Sequence, residues 1–230
     1  MIFDSNVHFA DVRLAVKNAK AQGVDGICIT SLSNFKPPKT NIILTKGTEI
    51  EFEYDLSERA ALEASRTDFD YVVNSVKTLN GKRLDDFDFY KTASRNQIYN
   101  AYLEKVFDSL DAAFNFSVLG NICFVSKYAN YPLANIEFNE FPELIEAILM
   151  RTIFLGKGLE IDCSLAARGI LFPSFSILEK YFELGGSTIT LASNSSICGK
   201  GIKEAQVILK TLGFNNFSVF KNMHPESFPL

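Results

Sequence analysis

Hydrophobic and polar positions follow two alternating periods along this chain. Short runs rich in β-branched residues, such as Gly26-Ile-Cys-Ile-Thr, predict buried strands. Longer segments place apolar residues about one helical turn apart and predict amphipathic helices, the clearest running from Gln97 to Ala113. Because predicted strands and helices alternate, the pattern is typical of successive βα units.

The predicted elements define a fold class. Strands are expected at residues 1–4, 26–30, 42–50, 70–76, 116–120, 158–162, 188–193 and 217–220, and helices at 11–21, 56–65, 97–113, 141–155, 174–184 and 202–212. Seven or eight strands, nearly all followed by helices, fit a closed or nearly closed α/β barrel, with a doubly wound open sheet as the alternative. In both layouts, polar residues at the carboxyl ends of the strands gather on one face.

Composition limits the kinds of partner that the chain can have. Its 230 residues are 47% hydrophobic and contain no linker or repeat, so we expect one domain over residues 1–230. With 23 basic and 27 acidic residues, the chain has no basic excess for binding nucleic acid. No apolar run reaches about 18 residues, which argues against a membrane span.

The start of the chain and its cysteines favour a cytoplasmic location. Met1-Ile-Phe-Asp-Ser-Asn lacks the basic and apolar regions of a signal peptide. The four cysteines are scattered without a CxxC pair, and the reduced cytoplasm is the simplest compartment for them. Among them, Cys198 is expected to be the most exposed.

Polar residues follow several predicted strands in a recognisable order. Asp4-Ser-Asn-Val-His8 resembles the DxHxH opening of PHP-family phosphoesterases, in particular the histidinol-phosphate phosphatase branch. Gly47-Thr-Glu-Ile resembles the family's GxE strand end, and Leu184-Gly-Gly-Ser-Thr-Ile-Thr-Leu-Ala-Ser-Asn-Ser-Ser resembles its Gly-Gly…Ile-Thr-Leu-Gly-Ser-Asp-Ser-His run. Further segments that begin at residues 26, 68, 118 and 158 follow in the same order. The resemblance covers essentially the whole chain and implies a distorted (β/α)7 TIM-like barrel of the PHP type.

The resemblance also implies where metal ligands would lie. In the family, these strand ends supply His, Asp and Glu ligands for two or three divalent metals, which activate water and hold the phosphate. Only two of the nine corresponding positions keep such a ligand, His8 and Glu49. The nine positions are Asn6, His8, Ser31, Leu32, Glu49, Lys77, Asn121, Asn194 and Ser196.

These substitutions lead to our main expectation, a degenerate site that has lost metal-dependent phosphoesterase activity and needs no cofactor. The Lys77 ammonium is expected to pair with Glu49, which would otherwise be a lone buried carboxylate. Lys127 falls where the resemblance implies a phosphate-binding arginine. Lys77 and Lys127 are therefore candidate anion-binding residues, and a small anionic or phosphorylated molecule is the expected ligand.

Two alternatives to this expectation remain open. In the first, the chain is an active histidinol-phosphate or related phosphomonoester phosphatase whose reduced site binds a divalent metal weakly. The ion would be held by a subset of the polar residues, namely Asp4, Asn6, His8, Glu49, Asn121 and Asn194. In the second, the Asn and Ser side chains simply bond to each other while Lys127 extends to solvent.

Phenylalanines suggest the core and one further kind of partner. The chain has 21 of them and no tryptophan. Phe124, Phe154, Phe175 and Phe217 lie in apolar runs and are expected in the core. Another set either forms an exposed patch for a protein partner or packs beneath loops. This set comprises Phe87, Phe89, Phe138 and Phe141.

Overall fold

A computed structural model describes residues 1–32, 35–54, 62, 65, 68–131 and 134–230 of the chain. Its strands are β1 (Phe3–Val7), β2 (Gly26–Ile29), β3 (Ile43–Glu51), β4 (Tyr71–Ser75), β5 (Thr78–Leu79), β6 (Lys82–Arg83), β7 (Val118–Leu119), β8 (Gly158–Asp162), β9 (Ile189–Ala192), β10 (Asn216–Lys221) and β11 (His224–Pro229). Seven of them form one parallel sheet in the order β1-β2-β3-β4-β7-β8-β9.

The first and last strands of this sheet approach each other and nearly close it into a barrel. Val7 forms a parallel bridge with Ser195, just beyond β9. The buried Asp4 carboxylate accepts hydrogen bonds from the backbone N–H groups of Ser193, at 2.9 Å, and Gly199, at 2.7 Å. The structure therefore confirms the predicted TIM-like (β/α)7 barrel over the open sheet.

Helices connect most of the barrel strands. Their bounds are α1 (Val12–Ala21), α2 (Arg95–Ser109), α3 (Phe124–Tyr128), α4 (Pro142–Phe154), α5 (Phe175–Glu183) and α6 (Ile202–Thr211). The predicted helix at 56–65 lies outside the described residues, apart from positions 62 and 65. A capping box between Ser94 and Gln97 begins α2 earlier than its apolar period indicates.

The turn before α6 contains the glycine-rich segment Gly199-Lys-Gly201. Gly201 caps this helix with a φ of 76°, in the left-handed region. A Cβ atom at Gly201 would lie 1.8 Å from the carbonyl oxygen of Cys163, so this position requires glycine.

The last predicted strand lies outside the barrel. It corresponds to β10, which pairs antiparallel with β11 and packs at the amino end of the barrel strands. There the N–H of Met223 donates to the carbonyl of Asp70, just before β4. Asn222 and Met223 both have positive φ, as a two-residue hairpin turn requires. The strand predicted at 217–220 is therefore present, but it forms a hairpin, and the barrel has seven strands, the lower of the two predicted numbers.

Two of the four predicted core phenylalanines are not buried. Phe124 and Phe217 lie in the core, but Phe154 is 80% exposed and Phe175 is 39% exposed. Phe154 is the last residue of α4, where its ring contacts the guanidinium of Arg151 instead of the barrel. An apolar run alone did not reveal which side of the helix end faces solvent.

The second phenylalanine set divides between the two expected arrangements. Phe87 is exposed, Phe89 is buried, and Phe138 and Phe141 are partly buried against the core.

Cys198 is 1% exposed, so the expectation that it is accessible was wrong. Within the described ranges, no helix is long and apolar enough to cross a membrane.

Candidate functional site

A cluster of polar side chains lies at the carboxyl ends of the barrel strands. Side chains alternate across a strand, so residues two apart on β1 and β8 turn to the same side. This alternation turns Asn6 towards Glu160 across the barrel, and both residues are almost fully buried.

Asn6 occupies the centre of the cluster. Its Nδ2 donates to both carboxylate oxygens of Glu160, at 3.3 and 3.2 Å. Its Oδ1 accepts a short hydrogen bond from the Thr30 hydroxyl and lies 3.1 Å from Nε2 of His8. Because Oδ1 is the acceptor in this orientation, the His8 proton is assigned to Nε2.

The predicted ion pair between Lys77 and Glu49 is present. The Lys77 ammonium lies 2.6 Å from Glu49 Oε2, and the Asn121 amide donates to Oε1 at 2.7 Å. His8 lies close enough to both charges to respond to them. Partial burial lowers the pKa of His8, Glu49 opposes that shift, and Lys77 adds to it. The imidazole is therefore mainly neutral near pH 7.

Lys127 forms a second ion pair, with Asp162. Its ammonium donates to Asp162 Oδ2 through a short bond and to Asn121 Oδ1 at 3.2 Å. Burial acts to raise the pKa of Asp162, but the Lys127 charge and hydrogen bonds from Lys127 and Ser164 outweigh it and hold the pKa below its usual value. Lys127 is 16% exposed, so it does not extend into solvent as one alternative supposed.

The two ion pairs belong to one hydrogen-bonded network. Asn121 joins Glu49 to Lys127, and Asn194 donates to Asp162 at 3.1 Å and to Glu160 at 3.5 Å. Ammonium, amide and carboxylate groups thus alternate across the barrel mouth. Both asparagines have positive φ, 56° and 48°, a conformation that asparagine tolerates better than most residues.

Three of the nine positions lie outside this network. Ser31 accepts from the backbone N–H of Phe9 and donates to the carbonyl of the same residue. Leu32 packs against a small apolar cluster near β1 and β2. Ser196 is exposed in the loop after β9. The structure therefore brings together six of the nine positions that the sequence singled out.

Sequence reasoning missed several members of the site. Glu160 and Asp162 both lie on β8 and supply two of its carboxylates, and Tyr71 donates to Glu160 at 2.9 Å. A signal was available, because Gly158-Leu-Glu-Ile-Asp places two acids two residues apart in an otherwise apolar strand. Such spacing directs both side chains to one face.

Burial disfavours the ionised forms of two carboxyl groups in the barrel. Burial raises the pKa of Glu160 to about 7, and the nearby Glu49 carboxylate adds to the shift while bonds from Tyr71 and Asn6 oppose it. Burial likewise raises the pKa of Asp4 to about 6, against hydrogen bonds from Ser193, Gly199 and Asn6. Both groups contribute more to stability when protonated.

Replacing Glu160 with glutamine should therefore flatten the pH dependence of stability. The Glu160 contribution is complete below its ordinary pKa of 4.5 and is lost as pH rises through about 7. Between about pH 4 and about pH 8, wild type should lose roughly 3 kcal/mol relative to Glu160→Gln. Urea unfolding at a series of pH values measures this difference. The variant Glu226→Gln, at an exposed site, should show the same pH dependence of stability as wild type. If Glu160→Gln also shows the wild-type pH dependence, the raised pKa of Glu160 is refuted.

Comparison with curated proteins identifies two relatives that carry the same name. The chain is 27% identical over 150 residues to a probable histidinol-phosphatase of Clostridium acetobutylicum, covering 65% of this chain and 59% of that protein. It is 25% identical over 232 residues to a probable histidinol-phosphatase of Thermotoga maritima, covering 94% of this chain and 91% of that one. The match thus spans less than two thirds of the first relative but nearly all of the second. No protein-family model matches the chain.

Comparison with solved structures supports the same fold. The crystal structure of a histidinol phosphate phosphatase from Lactococcus lactis, in complex with zinc, L-histidinol and phosphate, superposes with a TM-score of 0.84. It is 23% identical and covers 97% of this chain and 98% of its own. At this identity the likeness establishes the barrel fold. The names of the two curated relatives agree with the family resemblance that the motifs predict.

The zinc in that structure corrects one expectation. The substituted ligand positions led us to expect no cofactor. That expectation is contradicted, because a protein of the same fold has been solved in complex with zinc. The question for this chain is therefore whether its residues can hold a divalent metal.

Proposed function

We propose that this chain, whose curated relatives are named probable histidinol-phosphatases, binds a small phosphorylated ligand at the barrel mouth. Lys77 and Lys127 donate N–H hydrogen bonds to the phosphate. Phosphoester hydrolysis is slowed by orders of magnitude, because the nine strand-end positions include seven that no longer carry the family's ligands. The observation that carries this proposal is the network of lysine ion pairs at the mouth.

Both ammonium groups retain hydrogen-bonding capacity for a ligand. An ammonium has three N–H donors. Among the described residues, Lys77 contacts one carboxylate oxygen, and Lys127 contacts one carboxylate and one amide oxygen. Their side chains are 22% and 16% exposed, so neither is sealed inside the barrel. Each ammonium therefore has N–H groups left to donate to a phosphate at the mouth.

The donor set fits a centre of two or three zinc ions poorly. In the described part of the chain, no group of three or more His, Cys, Asp and Glu side chains is arranged to hold a metal ion. His8 and Glu49 are the family ligands that remain, and Glu49 is paired with Lys77. An ammonium at this position repels a cation strongly at low effective dielectric.

A second candidate function is hydrolysis at a reduced metal site. It is favoured by the names of both curated relatives and by the zinc in the solved relative. In this chain, His8 and Glu49 would hold a single ion, after Lys77 had turned away from Glu49. Metal content together with turnover separates this candidate from the first.

Ligand-induced stabilisation tests the proposed phosphate site. A ligand present at about a hundred times its Kd raises the free energy of unfolding by about 2.7 kcal/mol. Inorganic phosphate, L-histidinol phosphate and phosphoserine should therefore raise the melting temperature of wild type. The gain should shrink in Lys77→Met and Lys127→Met but persist in Lys20→Met, at the far end of the barrel. An equal gain in all four proteins, or none in wild type, would refute the proposal.

The cysteines support a cytoplasmic location as part of this proposal. All four, at positions 28, 123, 163 and 198, are buried free thiols. Burial raises the pKa of Cys28, Cys123 and Cys198 well above the usual thiol range, which keeps them unreactive. Free thiols persist most readily in a reducing compartment.

A further inference from the structure

A cleft of about 490 Å³ opens beside Lys127. It lies between α3 and the loop that follows β8. Its walls include Lys127, Tyr128, Ser164, Leu165, Ile170 and Phe172. Since Asp162 ends β8 and binds the Lys127 ammonium, one end of the cleft adjoins the polar network of the barrel mouth.

The walls of the cleft are mainly apolar. Phe172 is 8% exposed, and its ring centre lies 5.5 Å from the Lys127 ammonium. Ile170 is 39% exposed, so its side chain is accessible to a molecule in the cleft. A cleft of this size with apolar walls and few polar groups matches the usual form of a small-molecule site.

We propose that this cleft binds the organic group of the phosphorylated ligand and selects a flat, largely apolar group. The inference rests on the proposed function, because a phosphate at Lys127 would place its ester substituent at the mouth of the cleft. The cleft is far larger than a phosphate group needs. A polyhydroxylated substituent would lose hydrogen bonds to water against Phe172, Leu165 and Ile170, whereas an aromatic ring would not.

Selectivity of the unaltered protein gives the first test. By isothermal titration calorimetry, phenyl phosphate should bind at least about tenfold more tightly than glycerol 3-phosphate or inorganic phosphate. This comparison needs no variant and so does not depend on how a substitution folds. Equal affinities for the three probes would overturn the cleft assignment and leave the phosphate site standing.

Filling the cleft gives the second test. Ile170→Trp should lower the affinity for phenyl phosphate at least about tenfold. The affinity for inorganic phosphate should change less than about threefold. Ile43→Trp is the matched control, since Ile43 is 42% exposed at the amino end of β3, away from the mouth. Unchanged phenyl phosphate binding in Ile170→Trp would contradict the inference. If no phosphate compound binds wild type, the proposed function and this inference fail together.

Discussion

Replacing Lys127 with methionine is expected to lower the free energy of unfolding by about 3 kcal/mol near pH 7. Methionine keeps most of the length and apolar contact of the lysine stem but removes its charge. Asp162, whose side chain is 7% exposed, would then remain as a buried carboxylate without its cation. Losing one partner of a buried pair costs far more than a surface pair contributes.

A second substitution separates this charge effect from lost packing. Asp162→Asn in the Lys127→Met background should recover most of the lost stability, since no carboxylate is left unpaired. Urea unfolding of the two single variants and the double variant gives the coupling directly. Lys91→Met removes an exposed pair with Asp88 and should leave the urea midpoint unchanged. A small effect of Lys127→Met, or no recovery in the double variant, would show that the pair does not stabilise the barrel mouth.

The second large effect concerns catalysis. Supplied with zinc, manganese or magnesium, the protein should hydrolyse L-histidinol phosphate at least about 10³-fold more slowly than the Lactococcus lactis enzyme assayed in parallel. That factor corresponds to about 4 kcal/mol of lost transition-state stabilisation. Metal ions stabilise the transition states of such reactions by several kcal/mol. Here the carboxylate of Glu49, which would bind the metal, is paired with the Lys77 ammonium. Steady-state phosphate release measures the rate.

Metal content and one variant make this comparison decisive. Lys77→His removes the ammonium and adds an imidazole beside Glu49, so zinc affinity should rise at least about tenfold over wild type in a chelator competition. Wild type with stoichiometric metal and turnover within about tenfold of the Lactococcus lactis enzyme would establish the second candidate function instead.

The barrel could be predicted because its strands are short, apolar and regularly spaced. The run at 158–162 matches β8 residue for residue, and the ordered motifs distinguished a barrel from an open sheet. Two features escaped for local reasons. The turn at Asn222 and Met223 diverts β10 into a hairpin, and α3 is only five residues long, too short for a helical period to be visible.

The site could be predicted only in part. The pairing of Lys77 with Glu49 was predicted because the family resemblance places both residues at strand ends of one site, where a buried carboxylate needs a cation. The partner of Lys127 could not be inferred in that way. Asp162 lies 35 residues away on another strand, and only the barrel brings the two together. Ser31 and Ser196 show the converse, since the family's order of motifs indicated both and neither contacts the network.

Crystals grown with excess zinc and measured at the zinc absorption edge test the central claim most directly. The claim is that two lysine ammonium groups are the cations that neutralise the carboxylates of this barrel mouth. We predict the Lys77 ammonium in contact with Glu49 and the Lys127 ammonium in contact with Asp162. Anomalous peaks between His8 and Glu49, with both lysines turned away, would contradict it.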